Sequence, residues 1–260
     1  VPFLSTELSD PRFEVEGLRV ATVGSAALGR RADCTFWSPP SDTPVPLVVL
    51  MHGIYGSHWA WTLKAGVHRV AAAMIERGDL PPLALAMPSD GLFGVGSAYV
   101  DHAGGRFGSW ILNEVPELAA TALDCVTVAS PLALVGLSMG GFGALLLGAR
   151  NGERVRAAAG MSSVTDFADM DWFPGDPDAY GVAPEDRSLL DAIVTNRSAL
   201  PAIHFDCGTS DALISANRAL HKALDNAGVT HSYGEFPGGH AWPYWEARIG
   251  PVLQFVARSF

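Results

Sequence analysis

The stretch Gly136-Leu137-Ser138-Met139-Gly140-Gly141 constrains this chain more than any other part of it. An apolar run, Leu132-Ala133-Leu134-Val135, leads into it, and Ala144-Leu145-Leu146-Leu147-Gly148-Ala149-Arg150 follows. The order predicts a buried strand, a very tight turn and a helix. Glycines two residues either side of Ser138 complete a G-x-S-x-G pattern, which in that setting is a nucleophile elbow. A serine on so sharp a turn sits in a strained backbone conformation, and only hydrogen-sized neighbours let strand and helix pass closely. Its hydroxyl then stands over a helix N-terminus, whose free N–H groups favour developing negative charge.

The rest of the chain repeats that strand-then-helix rhythm. Continuous apolar runs at Pro46–Met51 and Leu83–Met87 read as buried strands, and Val155–Met161 and Ala202–Gly208 read as further strands. Between them, Val67, Val70, Ala71 and Met74, and later Ile214, Leu220 and Leu224, fall at helical spacing. This alternation predicts an α/β fold: a mostly parallel central sheet with helices on both faces. Period-2 patterning at Phe13, Val15, Leu18, Val20 and Thr22, resumed at Ala32, Cys34 and Phe36, predicts antiparallel N-terminal strands at a sheet edge. The 260 residues fit one domain spanning 1–260. Residues 162–186, rich in Asp and with three prolines beside Trp172 and Phe173, break the rhythm and read as an irregular excursion, a candidate lid or pocket wall. Their aspartates lack calcium-loop spacing. Pro116 is expected to kink a helix or open a new one, and Pro251 to kink the last helix.

A serine hydroxyl is a poor nucleophile unless a base lies within hydrogen-bond reach and a carboxylate orients that base. Histidine is the side chain that titrates near neutral pH. Of eight histidines, His240 sits in the Gly-rich loop Pro237-Gly238-Gly239-His240, just past a strand, at the sheet edge where the elbow opens. His204 lies mid-strand and reads as a satisfied core residue, and His52 as a residue that shapes its own turn. The remaining histidines, His58, His68, His102, His221 and His231, fit surface or loop roles. For the acid, Asp211 lies in the turn beyond a strand, whereas Asp206 lies inside it, so Asp211 is the expected partner. The order Ser138, Asp211, His240 is nucleophile, acid, base. The loop His52-Gly53-Ile54-Tyr55-Gly56 leaves the end of a central strand and can turn a backbone N–H inward. The N–H groups of Ile54 and Met139 are the candidate oxyanion hole.

These motifs, with Met51-His52-Gly53-Ile54, Asp206-Cys207-Gly208-Thr209-Ser210-Asp211 and Gly238-Gly239-His240-Ala241-Trp242, resemble the α/β-hydrolase superfamily. Within it the chain is similar to the esterase group that includes esterase D (S-formylglutathione hydrolase) and the antigen 85 mycolyltransferases. The resemblance covers nearly the whole chain. It implies serine carboxylesterase chemistry without a cofactor. Short-chain esters are expected substrates, and a pocket lined by tryptophans would suit aryl or sugar esters. Acyl transfer of the antigen 85 type, or thioester hydrolysis, would use the same residues.

A net charge of −10 argues against nucleic acid or anionic membrane as partners, because both need basic patches. No apolar run approaches spanning length. Cys34, Cys125 and Cys207 have no metal-ligand spacing and read as buried thiols in a reducing compartment. The start, Val1-Pro2-Phe3-Leu4, does not look like a signal peptide, so the expected location is cytoplasmic. The expected partner is a small ester, with no metal. Among the tryptophans, Trp59 and Trp242 are the candidate substrate contacts, with Trp61, Trp172 and Trp245 as further aromatic candidates. Tyr99, Asp101, His102 and Arg106, in the Gly- and aromatic-rich loop 91–108, are polar candidates beside the site.

Overall fold

Side chains alternate across a strand, and β4 (Leu47–Met51) shows why its apolar run is unbroken. Leu47, Val49 and Met51 feed one hydrophobic layer and Val48 and Leu50 another, so all five are buried. The computed structural model describes residues 3–173 and 175–260. Three strands precede β4: β1 (Phe3–Leu8), β2 (Arg19–Ser25) and β3 (Arg30–Trp37). After it come β5 (Ala84–Pro88), a two-stranded ribbon of β6 (Asp101–His102) and β7 (Gly105–Arg106), and then β8 (Leu132–Leu137). The last three are β9 (Val155–Met161), β10 (Ala202–Gly208) and β11 (Ser232–Phe236).

Nine of these strands form one sheet in the order β1-β2-β3-β5-β4-β8-β9-β10-β11. From β5 to β11 neighbouring strands are parallel, while β1, β2 and β3 join antiparallel, with β3 paired to β5. One layer of helices holds α1 (Ala60–Ala65), α2 (Val67–Glu76) and α8 (Trp242–Ala257). Against the other face lie α3 (Phe107–Ser109), which runs through a π-helical turn into α4 (Val115–Ala122), and α5 (Met139–Arg150). Farther along that face, α6 (Leu189–Thr195) and α7 (Ile214–Asn226) pack beside α5. The parallel strands all end at one edge, where loops from β4, β8, β10 and β11 meet.

Several local expectations change on contact with the fold. Phe13 and Val15, read as strand residues, are 77% and 68% exposed in a turn between β1 and β2. The helical spacing from Val67 is that of α2, and a separate short helix, α1, precedes it, the two broken where Gly66 takes φ 56°. Pro116 opens the first turn of α4 and does not kink it, after a π-turn whose buried Glu114 binds Ser25 Oγ at 2.5 Å and the Ala27 N–H at 2.7 Å. Pro251 lies inside α8. His68 is buried against Glu16 at 2.8 Å and is not a surface residue. The described residues of 162–173 and 175–186 are irregular, with two 3-10 turns among them, and press Phe167, Met170, Phe173 and Val182 onto Phe142 and Leu145 of α5.

Candidate active site

Ser138 sits between β8 and α5 at φ 55°, ψ −120°, a conformation that costs an L-residue on the order of 1–3 kcal/mol. The backbone on either side fixes it there. Its N–H donates to the Met161 carbonyl at 2.9 Å, and its own carbonyl accepts from Phe142 and Val164 N–H groups. Glycine is required twice within the turn. A Cβ on Gly136 would lie 2.0 Å from the Gly140 carbonyl oxygen, and one on Gly140 would lie 2.3 Å from the Met51 carbonyl oxygen. The strand–helix crossing and the approach of the β4 loop therefore both depend on missing side chains.

His240 Nε2 lies 3.0 Å from Ser138 Oγ, and its Nδ1 lies 3.0 Å and 3.2 Å from the two oxygens of Asp211. Residues 138, 211 and 240 are distant in sequence, yet backbone bonds lock acid and base together. Thr209 N–H donates to the Phe236 carbonyl and Ser210 N–H to the Gly238 carbonyl, each at 2.8 Å, so the loops after β10 and β11 form one unit. Gly208 lets them meet, since a Cβ there would stand 2.4 Å from the Gly238 oxygen. The Asp211 side chain is fully buried, and Leu213 N–H donates to it at 2.9 Å. Burial pushes its pKa up, but hydrogen bonds from His240 and Leu213 outweigh that, and the carboxyl ends below its ordinary value of 3.8. A proton bond from Nδ1 to Asp211 leaves Nε2 with its lone pair toward Ser138.

The loop after β4 lies against the serine: a Cβ on Gly53 would come within 3.2 Å of Ser138 Cβ. In the turn 53–56, Tyr55 N–H donates to Val95 and Gly56 N–H to Gly53. The Ile54 N–H, just before them, has no backbone acceptor among the described residues, and neither has the Met139 N–H at the start of α5. His52 stiffens this loop, with Nδ1–H donating to the Gly53 carbonyl at 2.7 Å and Nε2 accepting from Asp90 N–H at 3.3 Å. Tyr99 hydroxyl donates to the His52 carbonyl at 3.3 Å.

A cleft of about 360 Å³ opens over Ser138. Trp59 and Trp242 both line it, as do Ile54, Tyr55, Lys64 and Trp245. Trp242 meets Trp245 edge-on at 5.3 Å, and Trp245 in turn meets the His240 ring at 5.1 Å. Lys64 Nζ stands 5.7 Å from the Trp242 ring centre. Tyr55 belongs to the His52–Gly56 loop and Lys64 to α1, but no pattern in the sequence marked either side chain as a cleft residue. Other candidates lie elsewhere. Trp61 is buried under the cleft and Trp172 packs on the core. Tyr99 is fully buried and buttresses the β4 loop, away from any substrate. Asp101 accepts from Gly108 N–H, and His102 packs among Phe93, Phe107, Phe173 and Tyr180. Neither of these nor Arg106 lines the cleft, and among the described residues neither does the segment 162–186.

Asp206, the competing acid, is enclosed within β10. It accepts from the Tyr244 hydroxyl at 2.7 Å, Arg248 Nε at 3.0 Å and His204 Nε2 at 3.4 Å. His204 also meets Ser232 Oγ at 3.0 Å. Among the described residues no third His, Cys, Asp or Glu converges on His240 and Asp211 to make a metal-ligand set. The arrangement sets a serine hydroxyl, an imidazole and a carboxylate in one line of contacts, beside two backbone N–H groups.

A family model described as "Putative esterase" matches residues 25–255. An acetyl esterase of Caldicellulosiruptor saccharolyticus is 25% identical over 229 residues, 80% of this chain and 82% of that protein. The fold superposes on a ferulic acid esterase with a TM-score of 0.80 at 23% identity, covering 99% of this chain and 100% of the other. An S-formylglutathione hydrolase from Agrobacterium tumefaciens gives a TM-score of 0.80 at 17% identity, covering 100% and 99%.

Proposed function

The chain belongs to the esterase family and is a serine hydrolase of carboxylic esters; from that premise we propose that Ser138, His240 and Asp211 are its nucleophile, base and acid. One observation carries the assignment: the unbroken chain of contacts from Asp211 through His240 to Ser138 Oγ.

In this reading, His240 Nε2 takes the Ser138 proton as Oγ attacks the ester carbonyl. The carbonyl π pair moves onto oxygen, where the Ile54 and Met139 N–H groups receive it. Each such donor lowers the barrier by roughly 3 kcal/mol. The intermediate collapses, the C–O bond to the alcohol breaks, and His240 returns the proton to the leaving oxygen. Water then attacks the acyl-enzyme, giving its proton to His240. Collapse frees the carboxylic acid and restores the Ser138 hydroxyl. Asp211 holds the imidazole tautomer and stabilises the imidazolium throughout.

The substrates we propose are esters with a short acyl or a flat aryl group. A cleft of about 360 Å³ walled by Trp59, Trp242 and Trp245 suits a compact or planar group. The acetyl esterase and ferulic acid esterase relatives lie within that range. Hydrolysis is favoured over transfer because the His240 side chain is 36% exposed, so water reaches the base. The test is turnover of p-nitrophenyl esters of graded acyl length by wild type and Ser138→Ala. The expected result is a maximum at short acyl chains, with the variant inactive. Undiminished turnover by Ser138→Ala would overturn the assignment.

A further inference from the structure

Far from Ser138, three ligand-bearing side chains converge on one point. His221 and Asp225 are one turn apart on α7 and so share a face. The chain reverses through Gly228, at φ 68°, and brings His231 back beside them just before β11. His221 Nδ1 lies 2.8 Å from His231 Nε2. Asp225 oxygens lie 3.5 Å from His221 Nε2 and 3.9 Å from His231 Nε2. One donor atom from each residue falls within 4.8 Å of the other two.

From this geometry we infer that His221, Asp225 and His231 form a binding site for a divalent transition metal, with zinc the expected ion. The His231 Nδ1–H donates to the Val229 carbonyl at 2.8 Å, which leaves the Nε2 lone pair facing the cluster. A ligand histidine oriented by a backbone carbonyl is the usual outer-shell arrangement of a metal site. Both rings are held by packing: His231 stacks on Phe205 at 12° between planes, and His221 on Tyr233 at 22°. The His231 side chain is 2% exposed, while Asp225 is 59% exposed. A buried ligand on one side and an exposed carboxylate on the other leave an entry path from solvent. Tetrahedral zinc, with bonds of about 2.0–2.1 Å, needs donors roughly 3.3 Å apart. The two imidazoles therefore part slightly, and Asp225 swings in. Two imidazoles and one carboxylate suit zinc, nickel or copper better than magnesium or calcium.

The site ties the C-terminal half of α7 to the start of β11, the strand that leads into the loop carrying His240. It stands at the opposite edge of the sheet from Ser138, so occupancy stabilises the fold without entering the chemistry, and the inference does not rest on the esterase assignment. The experiment is isothermal titration of tag-free protein with zinc chloride, beside thermal melts with and without zinc. His221→Ala and Asp225→Asn are the variants, each confirmed as folded by ester hydrolysis. The expected result is one zinc per chain, a raised melting temperature, and binding weakened by more than about tenfold in both variants. Absence of binding by wild type, or wild-type affinity in both variants, would overturn the site and leave a hydrogen-bonded histidine pair that pins α7 to β11.

Discussion

Replacing Asp206 and Asp211 by Asn should produce opposite defects, although the two residues are five apart on one strand and its turn. Asp206 has no exposed surface, and its carboxylate is shared by Tyr244, Arg248 and His204. Asp206→Asn leaves the Arg248 guanidinium, only 16% exposed, without its anion. Losing one partner of a buried ion pair costs about 3–5 kcal/mol. Residual exposure of Arg248 favours the lower end. In a chain of this size each kcal/mol moves Tm by roughly 2–4 °C, so the melt should fall by roughly 6–12 °C. Since Asp206 does not touch His240, kcat of the folded enzyme should hold. Asp211→Asn should do the reverse. Its Oδ1 can still accept from Leu213 N–H, so the stability loss is on the order of 1 kcal/mol. The orienting charge is gone, however, and kcat should fall by roughly 10⁴-fold. Circular-dichroism melts and kcat on p-nitrophenyl acetate at 20 °C below each Tm make the comparison. A four-decade loss of kcat in Asp206→Asn with Tm unchanged would refute the reasoning and make Asp206 the acid.

Further outcomes follow from the same contacts. Gly140→Ala places a methyl 2.3 Å from the Met51 carbonyl oxygen and 2.6 Å from that of His52. The β4 loop must then retreat by about 1 Å, a misplacement that costs roughly 100-fold in rate; a kcat within threefold of wild type would contradict this. Burial and the nearby charge of Asp211 push the Cys207 thiol up to about 12. At pH 8 only about one thiol in 10⁴ is then ionised, so Cys207 should resist iodoacetamide until the protein is unfolded, and prompt labelling of the native state would count against that environment. The Asp211 carboxyl lies below its ordinary 3.8 when folded, so its ionised form stabilises the fold above that value. This contribution is lost as pH falls through the folded pKa. Wild type should therefore lose more Tm than Asp211→Asn on acidification below about pH 4; equal losses would argue against a depressed pKa.

The elbow turn, and the meeting of Ser138, His240 and Asp211 at one edge of the sheet, had local signals in the sequence. A G-x-S-x-G turn needs its glycines, as the short distances at Gly136 and Gly140 explain. Asp211 could be preferred over Asp206 because strand interiors and loop ends differ in access, although nothing in the sequence named Tyr244 and Arg248 as the groups that satisfy Asp206. The central strands were visible as unbroken apolar runs since both faces of β4, β5 and β8 are covered. By contrast, β1 is almost wholly exposed, so its strand character comes from backbone pairing with β2 and leaves no apolar pattern. Phe13 and Val15 mislead for the converse reason: they alternate without being buried. Tyr99 looked like a substrate contact because it sits in a Gly-rich loop, yet the loop folds inward and buries it under His52. The strand order also had no local signal, because β5 pairs with β3 only after the chain has crossed over β4.

The claim at the centre of this account is that His240 activates Ser138 and no other side chain. Reaction with an alkyl fluorophosphonate, read by intact mass and by sequencing of the modified peptide, tests it most directly. A single adduct on Ser138 in wild type, absent in Ser138→Ala and greatly slowed in His240→Ala, is the predicted result. An adduct on a different serine, or labelling of Ser138 at an unchanged rate without His240, would contradict it.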